Sequence, residues 1–221
     1  MTATPCLIGR SSSHFTRVVR VIAAELGVPY AFQPVFDLAS CDPADYGGNP
    51  AMKLPVLRLG AETVFGTENI CRTLGERHAG VQHIVWTELL PGPAARNVQE
   101  MIWHAMAVQV QMVFGTQAAQ LPADNLYFTK AARGLEQVLA WLDAHLDGVL
   151  AALPSRTTSL LEVTLFCLLE HLDFRPSVGW EGHQRLQAFA AGFAQRPSAR
   201  ATAYRLDRPG GAESDLEVRR G

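Results

Sequence analysis

Apolar positions change period along the chain, and the changes divide it. Cys6-Leu7-Ile8 is a short apolar run stopped by Gly9; after the polar Ser11-Ser12-Ser13, Phe15, Val18, Val19, Ile22, Ala23 and Leu26 recur at helical spacing. The pattern predicts strand, loop and helix, with Gly27 as the helix stop. Residues 29–35 read as an extended segment, and Pro29 and Pro34 assign it to a sheet edge, because a proline has no N–H to give to a second neighbour. An irregular stretch from Ser40 to Asn49 leaves open whether a helical turn forms within residues 40–48. Pro55-Val56-Leu57-Arg58-Leu59 and Glu62-Thr63-Val64-Phe65 then flank Gly60-Ala61, the composition of a short hairpin. A helix follows from Thr67 to Arg77, with Ile70, Cys71 and Leu74 facing inward.

Residues 79–93 contain Gly80, Pro91, Gly92 and Pro93, lose the alternation, and read as a linker. Beyond them the period is helical throughout. Val98, Met101, Ile102, Ala105, Val108, Met112 and Val113 form one stripe, and Ala131, Leu135, Val138, Leu139, Leu142 and Leu146 another. Ser159-Leu160-Leu161-Glu162 has the S-x-x-E form of a capping box and opens a run that is apolar on nearly every side, which predicts a buried helix. A last helix is expected over about residues 183–195, and the Gly-rich, charged tail from Asp207 is expected to fray. The expected organisation is an α/β domain over residues 1–78, a linker over 79–93 and an all-helical domain over 94–221.

Composition narrows the function. The 19 basic and 21 acidic residues give a net charge of −2, with no basic run longer than a pair, so no electrostatic footprint for nucleic acid exists. Apolar stretches are interrupted well short of a membrane span. The first residues lack the basic and apolar regions of a secretory signal, which sets the expectation of a cytoplasmic protein. Cys6, Cys41, Cys71 and Cys167 are scattered and suit buried, reduced thiols. The seven histidines form neither an H-x-x-x-H pair nor a cluster with cysteine, so no metal site is expected, and no Gly-rich phosphate loop is present.

Five segments, in order and spacing, resemble the cytosolic glutathione S-transferases, with the serine-type, bacterial members the nearest in character. Ser13-His14-Phe15-Thr16-Arg17-Val18-Val19-Arg20 is similar to the family's S-P-F-x-R-x-V-R opening of its first helix, with His14 in place of proline. Residues 49–57, Asn-Pro-Ala-Met-Lys-Leu-Pro-Val-Leu, resemble N-P-x-G-K-V-P-V-L. Thr67 to Leu74 resemble the helix after the family's E-S pair, Ser159 to Glu162 its central capping box, and Arg196-Pro197-Ser198 with Thr202 its closing segment. The resemblance covers about residues 5–204. It implies a thioredoxin-like N-terminal domain joined to an all-α helical bundle, in agreement with the periodicity.

The resemblance also implies a site. The backbone of Leu54, at the corner it forms with Pro55 and Val56, pairs with the cysteinyl part of glutathione, and Pro55 matches a proline that the family holds cis. Glutathione is thus the implied co-substrate, with no metal, and a small hydrophobic electrophile the second substrate. The thiolate is the nucleophile, and a thiol of ordinary pKa, about 8.5, is only slightly ionised at neutral pH. A hydroxyl donating to the anion contributes roughly 1.5–3 kcal/mol, which is one or two pKa units. Ser13 at the mouth of the first helix is the first candidate for that donor and Ser12 the second, while both, like Ser11, also suit a purely capping role. No tyrosine or cysteine stands in this loop, so the tyrosine-using and thiol-transferring classes fit poorly.

Lys53 is implied to reach the glycyl carboxylate. Thr67 takes the place of the serine that receives the γ-glutamyl carboxylate at a helix start. Gly66 departs from the pattern, because the family has an acidic residue or glutamine there to meet the ligand's ammonium; Glu68 and Asn69 are the nearby polar side chains. Trp103, His104 and Ala107, with Met101, Tyr127 and Phe128, are the implied wall of the second-substrate pocket. A homodimer is implied too. Gly66 and His14 keep open the alternative of a non-catalytic binding or regulatory protein on the same scaffold.

Overall fold

The computed structural model of the chain describes residues 4–78 and 80–209. They form two compact units: one contains the residues up to His83 together with those from Pro197 onward, and the other is Ile84–Arg196.

In the first unit, β1 (Cys6–Gly9), β2 (Ala31–Pro34), β3 (Val56–Leu59) and β4 (Glu62–Phe65) make one sheet in the order β2-β1-β3-β4. β2 runs parallel to β1 at the edge, where its Pro34 belongs, and β3 is antiparallel to both β1 and β4. Leu59 pairs with Glu62 across Gly60-Ala61, so the hairpin has the two-residue turn that the composition predicts. Two helices accompany the sheet, α1 (His14–Glu25) and α2 (Thr67–Arg77). Leu7, Ile8, Val56 and Leu57 of the central strands, Val18, Val19 and Ile22 of α1, and Ile70 and Leu74 of α2 are all buried. Between β2 and β3 the chain makes a single 3-10 turn, Pro43–Tyr46, capped by the Asp42 carboxylate on the Ala44 N–H at 2.9 Å. Cys41 is exposed in this connection and Cys6 only half-buried; Cys71 and Cys167 are the two buried thiols, and none of the four forms a disulfide. The expectation of four buried cysteines is corrected for Cys41 because its neighbours Ser40 and Asp42 bond along the loop surface.

In the second unit, α3 (Gly92–Val113) runs into a π-helical turn at Phe114–Ala118, followed by α4 (Leu126–Ala152), α5 (Leu160–Phe174) and α6 (Gln184–Phe193). The capping box forms as its sequence predicts: Ser159 Oγ accepts the Glu162 N–H at 3.0 Å, and the Glu162 carboxylate accepts the Ser159 N–H at 2.9 Å. Eleven of the fifteen α5 residues are buried, which explains why its sequence shows no polar stripe. Within that core Gln99 Nε2 donates to Thr164 Oγ1 at 3.0 Å, while Gln99 Oε1 has no hydrogen-bond partner among the described residues.

Two boundaries differ from the sequence expectation. Residues 79–93 include a short strand β5 (Ile84–Val85), paired in parallel with β6 (Thr158–Ser159), and Ile84, Val85, Trp86 and Leu90 are buried. Four apolar anchors among prolines and glycines give no period, so they escape a pattern reading. The end of the chain, expected with the helices, packs on α1. There α7 (Pro197–Ala201) places Ser198 Oγ to donate to the Glu25 carboxylate, and the buried Arg17 donates to the Ala199 carbonyl at 3.2 Å and stacks 4.2 Å over the Tyr204 ring. Of the tail expected to fray, Asp207 is half-buried and hydrogen-bonded, while residues 210–221 lie outside the described residues. Among the described residues, no helix is long and apolar enough to cross a membrane, and no group of three His, Cys, Asp or Glu side chains could hold a metal.

Gly9 is required by this packing. A Cβ built on it would lie 2.6 Å from Thr16 Cγ2, on a buried, β-branched side chain of α1 that has nowhere to move. Gly9→Ala is expected to lower unfolding stability by about 1–3 kcal/mol, the usual cost of overpacking, read as a reduced urea midpoint. An unchanged midpoint would show that the α1 contact is looser than this geometry.

Candidate functional site

The register of the sheet brings the sequence-predicted residues together. Ile8 pairs with Val56 and Val56 with Phe65, so one row of residues crosses β1, β3 and β4. Beyond it, at the same end of the sheet, lie the loop after β1 with Ser12 and Ser13, the Leu54-Pro55 corner before β3, and the start of α2 after β4. Both α1 and α2 begin there, and their N-termini carry the partial positive charge of unsatisfied N–H groups.

Ser13 is the N-cap of α1. Its main chain is extended, its N–H donates to the Arg10 carbonyl at 3.1 Å, and its Oγ accepts the Thr16 N–H at 3.3 Å. Capping uses a lone pair of the hydroxyl and leaves its hydrogen available, so the two roles weighed for this residue do not exclude each other. Ser13 and Ser12 are half-buried, whereas Ser11 is 1% exposed and its Oγ has no hydrogen-bond partner among the described residues. Ser11 is therefore closed to any ligand.

The Leu54–Pro55 peptide is cis, and Pro55 is buried. The Leu54 side chain packs on Ile8, Val35 and Val56, while among the described residues its N–H and C=O enter no backbone hydrogen bond, since β3 begins only at Val56. Asn49, 6% exposed, shapes the approach to this corner: Nδ2 donates to the Lys53 carbonyl at 2.8 Å, and Oδ1 accepts the Ala51 N–H at 3.0 Å. Met52, where the family pattern has glycine, adopts φ 51° inside this turn. The Lys53 side chain is exposed. On the far side, Tyr46 is buried and donates to the Leu38 carbonyl at 2.8 Å, with the Ser40 carbonyl at 3.1 Å. Burial, helped by the charges of Asp37, Cys41 and Asp45, pushes the Tyr46 phenol above its ordinary pKa.

Gly66 caps α2 with φ 86° and supplies no side-chain hydrogen bond to the helix, and Thr67, half-buried, is the first helical residue. The Glu68 carboxylate is bound by Arg72, which donates to it through Nε at 3.2 Å and Nη2 at 3.0 Å. The Asn69 amide donates back to the Phe65 carbonyl at 3.1 Å. Neither nearby polar side chain is thus a simple substitute for one at position 66.

In the helical unit, α3 carries Trp103 half-buried and His104 and Ala107 exposed, on one face by their spacing. A separate apolar cleft of about 460 Å³ opens beside the π-helical turn, lined by Phe114, Gly115, Leu121, Tyr127 and Phe128. Tyr127 and Phe128 of the expected wall line this cleft; Trp103, His104 and Ala107 do not. Gly115 lets the Phe128 ring pack against the turn, because a Cβ there would lie 2.3 Å from Phe128 Cζ. Sequence reasoning also passed over Asn49 as a functional side chain, although its Asn-Pro pair is a turn signal.

The sheet with its cis-proline corner, two helix N-termini at one edge and a helical unit following define a thioredoxin-like domain with an all-helical partner domain. Residues 7–82 match the family model of the glutathione S-transferase N-terminal domain. Residues 7–82 are thus similar to that domain, and the chain as a whole has the fold of the solved glutathione S-transferases. Among solved structures, a glutathione S-transferase from Methylobacillus flagellatus with glutathione bound is 25% identical, with a TM-score of 0.72, over 91% of this chain and 100% of that one. One from Methylobacterium radiotolerans in complex with glutathione sulfonate is 24% identical, with a TM-score of 0.70, over 93% and 98%. A glutathione transferase family member from Pseudomonas fluorescens with bound glutathione is 22% identical, with a TM-score of 0.73, over 92% and 100%. No curated protein matches the chain.

The turn before the corner depends on one amide. Asn49→Ala removes both its hydrogen bonds and is expected to cost about 1–3 kcal/mol, because the Lys53 carbonyl and the Ala51 N–H lose their partner. Urea denaturation checks the loss; Asn49→Asp, which keeps only the acceptor, should fall between the variant and the parent.

Proposed function

We propose that the protein is a glutathione transferase in which Ser13 stabilises the thiolate of bound glutathione for attack on a small hydrophobic electrophile. The observation that carries the reading is the Leu54 main chain, left outside the sheet at the cis corner and so free to pair with an extended peptide. The N–H groups at the start of α2, which no side chain caps, suit the γ-glutamyl carboxylate, with the Thr67 hydroxyl beside them. Lys53 is exposed and long enough to approach the glycyl carboxylate. Within the helical unit, the face of Trp103, His104 and Ala107 and the cleft at Phe114 and Phe128 offer apolar surface.

In the reaction the thiol gives its proton to solvent, the sulfur attacks the electrophilic carbon, and the leaving group or the added electron pair takes up charge or a proton. Ser13 donates to the sulfur anion and is neither base nor nucleophile. The N-terminus of α1 adds favourable potential without moving. No metal takes part in this scheme. The reading includes a cytoplasmic homodimer; Phe36, Met52 and Phe65 of the first domain, 37–43% exposed, offer it apolar surface.

A second reading, a non-catalytic binding or regulatory protein, is favoured by Gly66, which offers nothing to the ammonium of glutathione. Retention on immobilised glutathione and turnover of a generic aryl halide separate the two: the enzyme reading expects both, and the absence of both would sink it.

Two substitutions test the chemistry. Ser13→Ala is expected to raise the pKa of the bound thiol by one to two units, roughly the worth of one hydrogen bond to an anion, followed by thiolate absorbance. It should also lose about 1 kcal/mol of stability with the cap. Ser13→Asp keeps a capping acceptor but has no hydrogen to give, so it should retain stability while the thiol pKa still rises; a thiol pKa unchanged in both variants removes Ser13 from the site.

Gly66→Gln restores a polar side chain where open space exists, the nearest atom to a new Cβ being Asn69 Cβ at 3.9 Å. It is expected to tighten glutathione binding about tenfold, the effect of one added hydrogen bond to a charged group, measured by calorimetry. The positive φ should cost about 1–2 kcal/mol of stability at the same time. Unchanged or weaker binding would mean that the ammonium is already met elsewhere.

A further inference from the structure

The chain after α7 returns to the loop that carries the serines. Asp207 Oδ2 accepts the Ser11 N–H at 2.8 Å, and the Arg205 N–H approaches the Ser11 carbonyl at 3.5 Å, so both main-chain groups of one loop residue face the C-terminal segment. Ser11 lies inside the turn closed by the Ser13 N–H on the Arg10 carbonyl. Its own side chain gives no anchorage, being buried with a hydroxyl that has no hydrogen-bond partner among the described residues.

The segment that brings Asp207 here is itself fixed. Thr202 Oγ1 donates to the Ser198 carbonyl at 2.8 Å, and Arg17 of α1 holds both the Ala199 carbonyl and the Tyr204 ring. A carboxylate acceptor makes a stronger bond to an N–H than a neutral oxygen does, and one held on an anchored chain keeps its direction. We propose that Asp207 is a positioning residue: by holding the Ser11 main chain it sets the turn from which the Ser13 hydroxyl projects. This rests on the reading of Ser13 as the donor to the thiolate. Asp207 acts on the peptide rather than on the sulfur, through the oxygen that accepts the Ser11 N–H.

The experiment uses the full chain with Asp207→Ala and Asp207→Asn. Amide hydrogen exchange across residues 11–16 is followed by NMR without glutathione, then the pKa of the bound thiol and the kcat and KM for an aryl halide. Asp207→Ala should exchange the Ser11 amide roughly tenfold faster, the worth of one charge-assisted hydrogen bond. It should raise the thiol pKa and lower kcat with KM for the aryl halide unchanged, and Asp207→Asn, which keeps the acceptor oxygen, should restore each value towards the parent. Unchanged exchange in Asp207→Ala overturns the proposal, as does an Asn variant as fast as the Ala variant, which would reduce Asp207 to general packing. An unaltered thiol pKa in a glutathione-binding Asp207→Ala variant overturns it as well. If the parent binds no glutathione, the function proposed above fails on that result, and exchange alone decides whether Asp207 holds the loop.

Discussion

The pairing of Ile8 with Val56 and of Val56 with Phe65 is the constraint on which the rest of the first domain depends. Side chains in a strand alternate with a period of two, so a slip of one residue between β1 and β3 would turn Leu7 or Ile8 out of the core and carry the corner at Pro55 away from the serine loop. The register is held from both sides, by apolar residues that fill the core and by the two-residue turn at Gly60-Ala61. Three segments far apart in sequence meet at one end of the sheet as its direct consequence.

What meets there is mainly backbone. The start of α1, the Leu54 peptide and the start of α2 all offer main-chain groups, and main-chain groups keep their direction without losing rotamer entropy on binding. Side chains act at one remove. Asn49 fixes the turn before the corner, Thr16 fills the space left open by Gly9, and the Ser13 hydroxyl satisfies the first turn of its helix while retaining its hydrogen. A residue that caps a helix is held in place by that bond, which makes it a well-directed donor.

Gly66 is where this scheme is thinnest. Its φ of 86° suits glycine, and with glycine there the α2 N-terminus has no side-chain cap. Glu68 is bound to Arg72 and Asn69 to the Phe65 carbonyl, so the polar side chains next in line are already engaged. The two helix N-termini and the exposed Lys53 offer positive potential at this end of the sheet, whereas position 66 offers only backbone. Charge complementarity is therefore uneven across the site.

The sequence by itself determined the elements and the character of the site. Helical spacing in residues 15–26, alternation around Gly60-Ala61, the capping box at Ser159 and Glu162, and Pro34 in the edge strand β2 all act over a few residues, where local sterics and hydrogen bonding decide. Ser13, Leu54, Pro55 and Thr67 were brought together by the resemblance of their segments to the motifs of one family, and the register sets those segments at one end of the sheet. Tertiary structure alone decided how distant segments combine. Ile84 and Val85 became core rather than linker because β6, more than seventy residues later, pairs with them, and Trp86 and Leu90 are buried after them. The last residues joined α1 because Arg17 found Tyr204 and Ala199, and Asp207 reached Ser11 across 196 positions. Contacts of that range leave no period and no local motif, since their energy exists only once the chain between them has folded.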